Sequence, residues 1–129
     1  MTILLDTSVI IDVLRKRRGR HELLAEWLRQ GHAFACCAIN ITEVYEGMRR
    51  NEERTTARLF EDLDYVEIVP HAARQAGDLL REWQLKGRTL SLPDAIIAAL
   101  ALERDLPLAT DDKKDFPMSA LQFVPLPGA

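Results

Sequence analysis

The 129-residue sequence contains no apolar run that approaches the ~18 residues of a membrane-spanning helix. It begins directly with Ile3-Leu4-Leu5-Asp6 and has no basic leader, so we expect neither a signal peptide nor a membrane anchor. Only two cysteines are present, Cys36 and Cys37, and neighbours on a strand point to opposite faces, so we expect no disulfide between them. Buried free thiols are typical of a reducing compartment, and we expect a cytoplasmic protein.

Several catalytic signatures are also missing. His21, His32 and His71 show no ligand spacing, which argues against a zinc site. There is no G-x-S-x-G motif, no Cys/His arrangement for nucleophilic catalysis and no glycine-rich phosphate loop. The net charge of −3 argues against a protein that coats nucleic acid in bulk, although it leaves room for a local basic patch.

What is present is an alternation of short apolar runs and amphipathic stretches. With 47% hydrophobic and 29% charged residues, the chain has the composition of an ordinary globular protein, and we expect a single domain over residues 1–129. The alternation predicts an α/β fold in which helices cover both faces of a mostly parallel sheet of four to five strands. Predicted strands cover residues 3–5, 33–38, 65–69, 106–110 and 122–126, and predicted helices cover residues 8–14, 21–30, 51–63 and 71–86, with two more that begin near residues 40 and 92.

The first predicted strand ends in Asp6, followed by the hydroxyl residues Thr7 and Ser8. Taken alone, Asp6 is explained by capping of the next helix, since Asp is a favoured N-cap. Three further acidic positions are placed similarly, each just after a strand or at the start of the helix that follows one. They are Glu43, Asp94 and Asp112 or its neighbour Asp111. Glu43 and Asp94 also fit capping boxes that start at Asn40 and Ser91.

Right-handed crossovers bring such positions to one edge of a parallel sheet, so we expect the four carboxylates to share one cleft. Carboxylates in contact raise one another's pKa values, and a divalent cation relieves their repulsion. Mg²⁺ and Mn²⁺ prefer oxygen ligands and can activate water for attack on a phosphodiester. The helix amino ends at Glu43 and Asp94 would add positive potential for a phosphate group.

A basic stretch follows the first helix, and its arginines are Arg15, Arg17, Arg18 and Arg20. A run of charges of this kind is often only a solvated turn. The alternative is an arm that contacts phosphate groups, because the arginine fork suits phosphate oxygens.

The four acidic segments together resemble the PIN-domain ribonuclease family, and within it the VapC-like toxins of toxin–antitoxin pairs. The resemblance extends over essentially the whole chain. It rests on residues 5–12 (LDTSVIID), 41–47 (ITEVYEG), 92–99 (LPDAIIAA) and 108–116 (LATDDKKDF).

The resemblance implies a PIN-like three-layer α/β/α fold and a Mg²⁺- or Mn²⁺-dependent endoribonuclease. It also implies a homodimer that is inhibited by a small VapB-like antitoxin. Acidic groups of that antitoxin are a second possible partner of the basic stretch, besides RNA. By this resemblance Asp6, Glu43 and Asp94 are metal ligands and catalytic acids. The family pattern of Thr, any residue, then Asp places the fourth acid at Asp112, while Asp111 departs from it. Thr7 and Thr110 match hydroxyls that support the site. Asp111 and Asp115 are further candidates for a supporting role, Asp115 through a hydrogen bond or a second metal.

Two other functions compete with this prediction. A receiver-like phosphotransferase needs paired acids near the start, a nucleophilic Asp in mid-chain and usually a late Lys, and the single early Asp6 does not fit that plan. A non-catalytic PIN-fold module that binds RNA or a protein partner needs no acids, and the acids at all four positions argue against it.

Overall fold

A computed structural model of the protein describes residues 1–128, and Ala129, the last residue of the predicted domain, lies outside that range. Its centre is a four-stranded sheet with the order β3-β2-β1-β4, in which every pair is parallel. The strands are β1 (Thr2–Leu5), β2 (Ala33–Cys36), β3 (Asp64–Tyr65) and β4 (Leu108–Ala109). In register, Leu4 of β1 lies opposite Ala35 of β2 and Leu108 of β4.

Six α-helices flank the sheet and complete the three-layer α/β/α fold that was predicted. They are α1 (Thr7–Leu14), α2 (Arg20–Arg29), α3 (Ala38–Glu46), α4 (Glu53–Asp62), α5 (Pro70–Leu85) and α6 (Leu92–Arg104). Short 3₁₀ helices cover Arg50–Glu52 and Lys113–Asp115. None of the helices within residues 1–128 is both long and apolar enough to cross a membrane.

The strand β1 contributes to two hydrophobic cores because its side chains alternate between the faces of the sheet. Leu4 packs on one face in a cluster with Ile97 and Leu100 of α6. Ile3 and Leu5 pack on the other face in a second cluster, which includes residues of α1 and α2. All three β1 side chains are completely buried, and each contributes about 1.5–3 kcal/mol of hydrophobic stabilisation. The strand that leads to Asp6 is therefore fixed from both sides.

Most boundaries shift by one or two residues from those predicted, and three elements differ more in kind. The helix α3 begins at Ala38 with Cys37 as N-cap, so Asn40 is the third residue of the helix rather than its cap. The predicted strand 65–69 shares only Tyr65 with β3, and its last residue, Val69, is the N-cap of α5, which begins at Pro70. Proline suits that first helical position. The predicted strand 122–126 is only an isolated parallel bridge between Leu108 and Phe123. Val124 still donates its N–H to the Leu108 carbonyl, but the next residue, Pro125, has no N–H with which to extend the pairing.

Candidate active site

Asp6 lies where β1 ends and α1 begins, at the carboxyl edge of the sheet. Its Oδ1 accepts a hydrogen bond from the backbone N–H of Thr7 at 2.9 Å, so Asp6 is the N-cap of α1. Its Oδ2 accepts a hydrogen bond from the hydroxyl of Thr110 at 2.7 Å. Thr110 follows β4, and the neighbouring strands β1 and β4 thus bring together two residues 104 positions apart in the sequence. The capping role and the site role of Asp6 coexist.

Burial of Asp6 raises the pKa of its carboxyl group from 3.8 to about 6. The hydrogen bonds from Thr110 and Thr7 oppose this shift, because they favour the charged form. The negative charges of Asp94 and Asp112 make smaller contributions to the raised pKa of Asp6. The charges of Asp94 and Asp112 therefore act on the carboxyl group of Asp6.

Asp94 is the third residue of α6, and its backbone N–H donates to the hydroxyl of the N-cap Ser91 at 3.2 Å. Partial burial raises the pKa of the Asp94 carboxyl, and a separate side-chain hydrogen bond with Ser91 lowers it. The charges of three further acids raise it again, and these acids are Asp115, Glu43 and Asp112. The carboxyl of Asp94 in α6 thus responds to acids from α3 and from the loop after β4.

Glu43 projects from α3 toward the start of α1. Its Oε1 accepts a hydrogen bond from the hydroxyl of Thr7 at 2.6 Å. Glu43 is the sixth residue of α3, not the third, so it neither completes a capping box nor lies in the first turn of the helix. The positive end of a helix dipole therefore favours an anion beside Asp94 but not beside Glu43.

Asn40 is a residue of the site that the sequence pattern predicted only as a helix cap. The Asn40 side chain is completely buried, and its Nδ2 donates to the Thr7 hydroxyl at 3.0 Å and to the Leu5 carbonyl at 3.1 Å. Its Oδ1 accepts from the backbone N–H of Cys37 at 2.8 Å, which satisfies the amino end of α3. Its only signal in the sequence is the position three residues before Glu43.

The adjacent acids Asp111 and Asp112 have different surroundings. The backbone N–H of Asp112 donates to the Thr110 hydroxyl at 2.9 Å, and the charge of Asp112 acts on both Asp6 and Asp94. Asp111 instead forms ion pairs with Arg20 at 2.6 Å and Arg18 at 3.1 Å. The geometry therefore favours Asp112 over Asp111 as the fourth acid, and Asp115 acts electrostatically on Asp94.

The four arginines of the basic stretch do not form one surface. Arg20 is 1% exposed and binds Asp111 and the carbonyl of Pro127, so its guanidinium is inaccessible to a ligand. This corrects the prediction that Arg20 contacts RNA or an antitoxin. Arg15 reaches Glu52 and the Gly47 carbonyl, while Arg17 and Arg18 are exposed. The contact hypothesis stays with Arg15, Arg17 and Arg18.

The donor set of this site consists of carboxylates, which suit a hard divalent cation. Within residues 1–128, no three acidic, histidine or cysteine side chains form a group that could by itself enclose an ion. Mg²⁺ is commonly held by one or two carboxylates and completes its octahedron with water and substrate phosphate. The raised pKa values of Asp6 and Asp94 reflect in part a repulsion that a cation relieves. The residues thus fit a largely hydrated cation rather than a closed cage.

Comparison with known proteins identifies the family. The PIN domain family matches residues 3–119. The chain belongs to the PIN domain family. The curated PIN relative Ribonuclease VapC10 of Mycobacterium tuberculosis (strain ATCC 25618 / H37Rv) is 33% identical over 116 residues, which cover 90% of this chain and 86% of that protein. Ribonuclease VapC1 of Methanocaldococcus jannaschii is 30% identical over 115 residues, which cover 88% of this chain and 78% of that protein.

Solved structures show the same PIN fold. A toxin–antitoxin complex from Klebsiella pneumoniae contains a chain that is 29% identical, with a TM-score of 0.78 and coverage of 96% of this chain and 98% of that one. VapBC2 from Rickettsia felis, bound to a DNA fragment from its promoter, superposes with a TM-score of 0.80 over 96% of this chain and 98% of its own at 20% identity. At that identity the likeness shows the fold alone.

Proposed function

We propose that this PIN-domain protein is a Mg²⁺- or Mn²⁺-dependent endoribonuclease and the toxin of a toxin–antitoxin pair. The observation that carries the proposal is the group of acids around Asp6, in which Asp94 and Asp112 raise the pKa of a buried carboxyl at the carboxyl edge of the sheet. Relatives named as ribonucleases, identical at 30–33% over most of their length, support the same activity.

Asp6 and Asp94 are the residues that would hold the cation, and Glu43 and Asp112 would complete its surroundings. When bound, such an ion supplies Lewis acidity and a water of lowered pKa. The protein itself would hold the acidic side chains in position and bind the phosphate group of the substrate. Thr110 and Thr7 orient the carboxylates of Asp6 and Glu43. The amino end of α6 carries partial positive charge beside Asp94, which suits a phosphate group.

The activity is tested by incubating the purified protein with total RNA and Mg²⁺ or Mn²⁺ and mapping the new RNA ends. We expect Asp6→Asn and Asp94→Asn to reduce cleavage by about 10²–10³-fold, because each removes several kcal/mol of transition-state stabilisation. Asp78→Asn, which changes an exposed acid of α5, is the matched control and should cleave normally. Cleavage that persists in EDTA, or in both site variants, would contradict the proposal.

The proposed toxin role requires two partners, an antitoxin and a second copy of the chain. Complexes of toxin with antitoxin among the structural neighbours support a small VapB-like antitoxin as the partner, and we propose a homodimer as the toxin itself. Expression should then arrest growth and translation, and co-expression of a short neighbouring reading frame should restore both. Growth arrest that is equally strong with Asp6→Asn would separate toxicity from nuclease activity and contradict the proposal.

A further inference from the structure

Asn40 is a buried amide that uses each of its polar atoms. Its Oδ1 accepts from Cys37 N–H, and its Nδ2 donates one proton to the Leu5 carbonyl and one to the Thr7 hydroxyl. The orientation of the amide follows from its partners, because an N–H needs an acceptor and a carbonyl needs a donor. Cys37 N–H must meet Oδ1, and Leu5 C=O must meet Nδ2. The Thr7 hydroxyl oxygen therefore accepts a hydrogen bond from the Asn40 amide.

This bond determines where the Thr7 hydroxyl points. A hydroxyl has one proton to give, and the Thr7 oxygen already accepts from Asn40. Its own proton is directed to Glu43 Oε1, 2.6 Å away. The order of donation is thus fixed as Asn40 to Thr7 to Glu43, and the Oε1 atom of Glu43 is held as an acceptor. Its other oxygen, Oε2, is the one left for a ligand.

The site contains a second hydroxyl with the same arrangement. The Thr110 oxygen accepts from the backbone N–H of Asp112, and its hydroxyl donates to Asp6. There the first donor belongs to the main chain, which no side-chain substitution removes. For Glu43 the first donor is the Asn40 side chain. The orientation of the Thr7 hydroxyl therefore depends on which residue occupies position 40.

We propose that Asn40 is a positioning residue, which orients Glu43 through the Thr7 hydroxyl and so preorganises the carboxylate that faces the cation. The inference rests on the proposed function, since it treats Glu43 as part of a cation site. The competing explanation is that Asn40 serves only the fold, by capping α3 and tying it to β1 through the Leu5 carbonyl.

The two explanations differ in a double-mutant cycle read by Mn²⁺ binding in isothermal titration calorimetry. We expect Asn40→Ala to weaken Mn²⁺ binding about 10–100-fold, the usual effect of losing a partner of a metal ligand. In a Thr7→Val background, which has no hydroxyl, Asn40→Ala should change Mn²⁺ affinity less than about twofold. In a Thr7→Ser background, which keeps the hydroxyl, the full loss should return. Asn40→Ser is the second variant if Asn40→Ala does not fold.

Thr42→Ala is the matched control, because Thr42 lies on the same helix but its hydroxyl donates only to the Ala38 carbonyl. It should bind Mn²⁺ as the wild type does. Equal losses on Asn40→Ala in the wild-type and Thr7→Val backgrounds would overturn the proposal, since a role confined to the fold acts regardless of Thr7. Wild-type affinity in both Asn40 variants would overturn it as well.

A second measurement needs neither metal nor RNA. In the metal-free protein the Thr7 hydroxyl proton should give a slowly exchanging NMR resonance, which Thr42→Ala retains and Asn40→Ala abolishes. An unchanged resonance in Asn40→Ala would overturn the positioning role. If the wild type neither binds Mn²⁺ nor cleaves RNA, the proposed function fails, and the Thr7 resonance still decides whether Asn40 orients the hydroxyl.

Discussion

The guanidinium of Arg20 and the carboxylate of Asp111 form a buried ion pair, with 2.6 Å between Nη2 and Oδ1 and only 1% and 6% of the two side chains exposed. The pair joins the first residue of α2 to the loop that carries Thr110 and Asp112. Arg20 also donates to the Pro127 carbonyl, which attaches the carboxyl-terminal segment to the same point. The position of the fourth acid is therefore supported from outside the site.

We expect Arg20→Met to lower the free energy of unfolding by about 3–5 kcal/mol, because it leaves the Asp111 carboxylate buried with only part of its compensation. Urea unfolding followed by circular dichroism measures the loss. Arg18→Met is the matched control, since Arg18 also pairs with Asp111 but is 44% exposed, and it should cost no more than about 1 kcal/mol. Similar losses in the two variants would show that burial does not set the strength of this pair.

We expect Asp6→Asn to stabilise the metal-free protein at pH 7.5, by an amount on the order of 1–3 kcal/mol. The charged Asp6 carboxylate is disfavoured by burial and by Asp94 and Asp112, and a neutral amide avoids that cost. Thermal unfolding in EDTA measures the difference, with the exposed Asp78→Asn as control. A lower melting temperature for Asp6→Asn would mean that the hydrogen bonds to Thr7 and Thr110 outweigh the repulsion.

The stabilisation by Asp6→Asn should also depend on pH in a defined direction. The pKa of Asp6 is about 6 in the folded protein and near 3.8 when unfolded, so the folded state binds more protons between these values. The contribution of Asp6 to stability is thus fully present below pH 4 and is lost as the pH rises through 6. The raised pKa of Asp94 acts in the same direction.

The measurement is the unfolding free energy of wild type and Asp6→Asn from pH 3.5 to 8 in EDTA. We expect the two curves to coincide, apart from a constant offset, below pH 4 and to diverge up to about pH 7. Comparing the two proteins removes the contributions of carboxylates elsewhere in the chain. A difference that stays constant across this range would contradict the raised pKa of Asp6.

The exposed arginines Arg17 and Arg18 should contribute to RNA binding. In an Asp6→Asn background, which prevents cleavage, we expect the double change to Ser to weaken binding of a labelled single-stranded RNA. The slope of log K against log salt should become shallower by about 1.4, or 0.7 for each lost phosphate contact. Arg81→Ser, on the exposed face of α5, is the control. An unchanged slope would assign the two arginines to a solvated turn.

The sequence was sufficient to predict the layers and the parallel sheet, since both follow from apolar periodicity and the handedness of crossovers. The shared cation site of Asp6, Glu43, Asp94 and Asp112 stays a prediction. The sequence was misleading at Asn40, whose residue type suggested a different position in the helix from the one observed. Asn40 resembles an N-cap because Asn favours that position. Cys37 takes it instead, and Asn40 completes the cap from inside the helix. Its contact with Thr7 joins two segments 33 residues apart, and no local pattern contains that information.

The burial of Arg20 also could not be predicted from the sequence. Residues 15–20 are all basic except Gly19, and the chain turns sharply there, with positive φ angles at Lys16, Arg18 and Gly19. The turn leaves Arg17 in solvent and directs Arg20 inward to Asp111. A charge run therefore does not reveal which of its members is buried, because that depends on an acid 91 residues away.

The alternating burial of β1 has a consequence for how the protein can respond to its own charge. Side chains are often free to swing apart when like charges crowd them, and crowding then costs little. Asp6 has no such freedom, because Ile3, Leu4 and Leu5 anchor the preceding backbone in two cores and α1 begins immediately after it. The electrostatic repulsion at the Asp6 carboxylate is not relieved by movement of the backbone. It is relieved only when the carboxylate binds a proton or a cation.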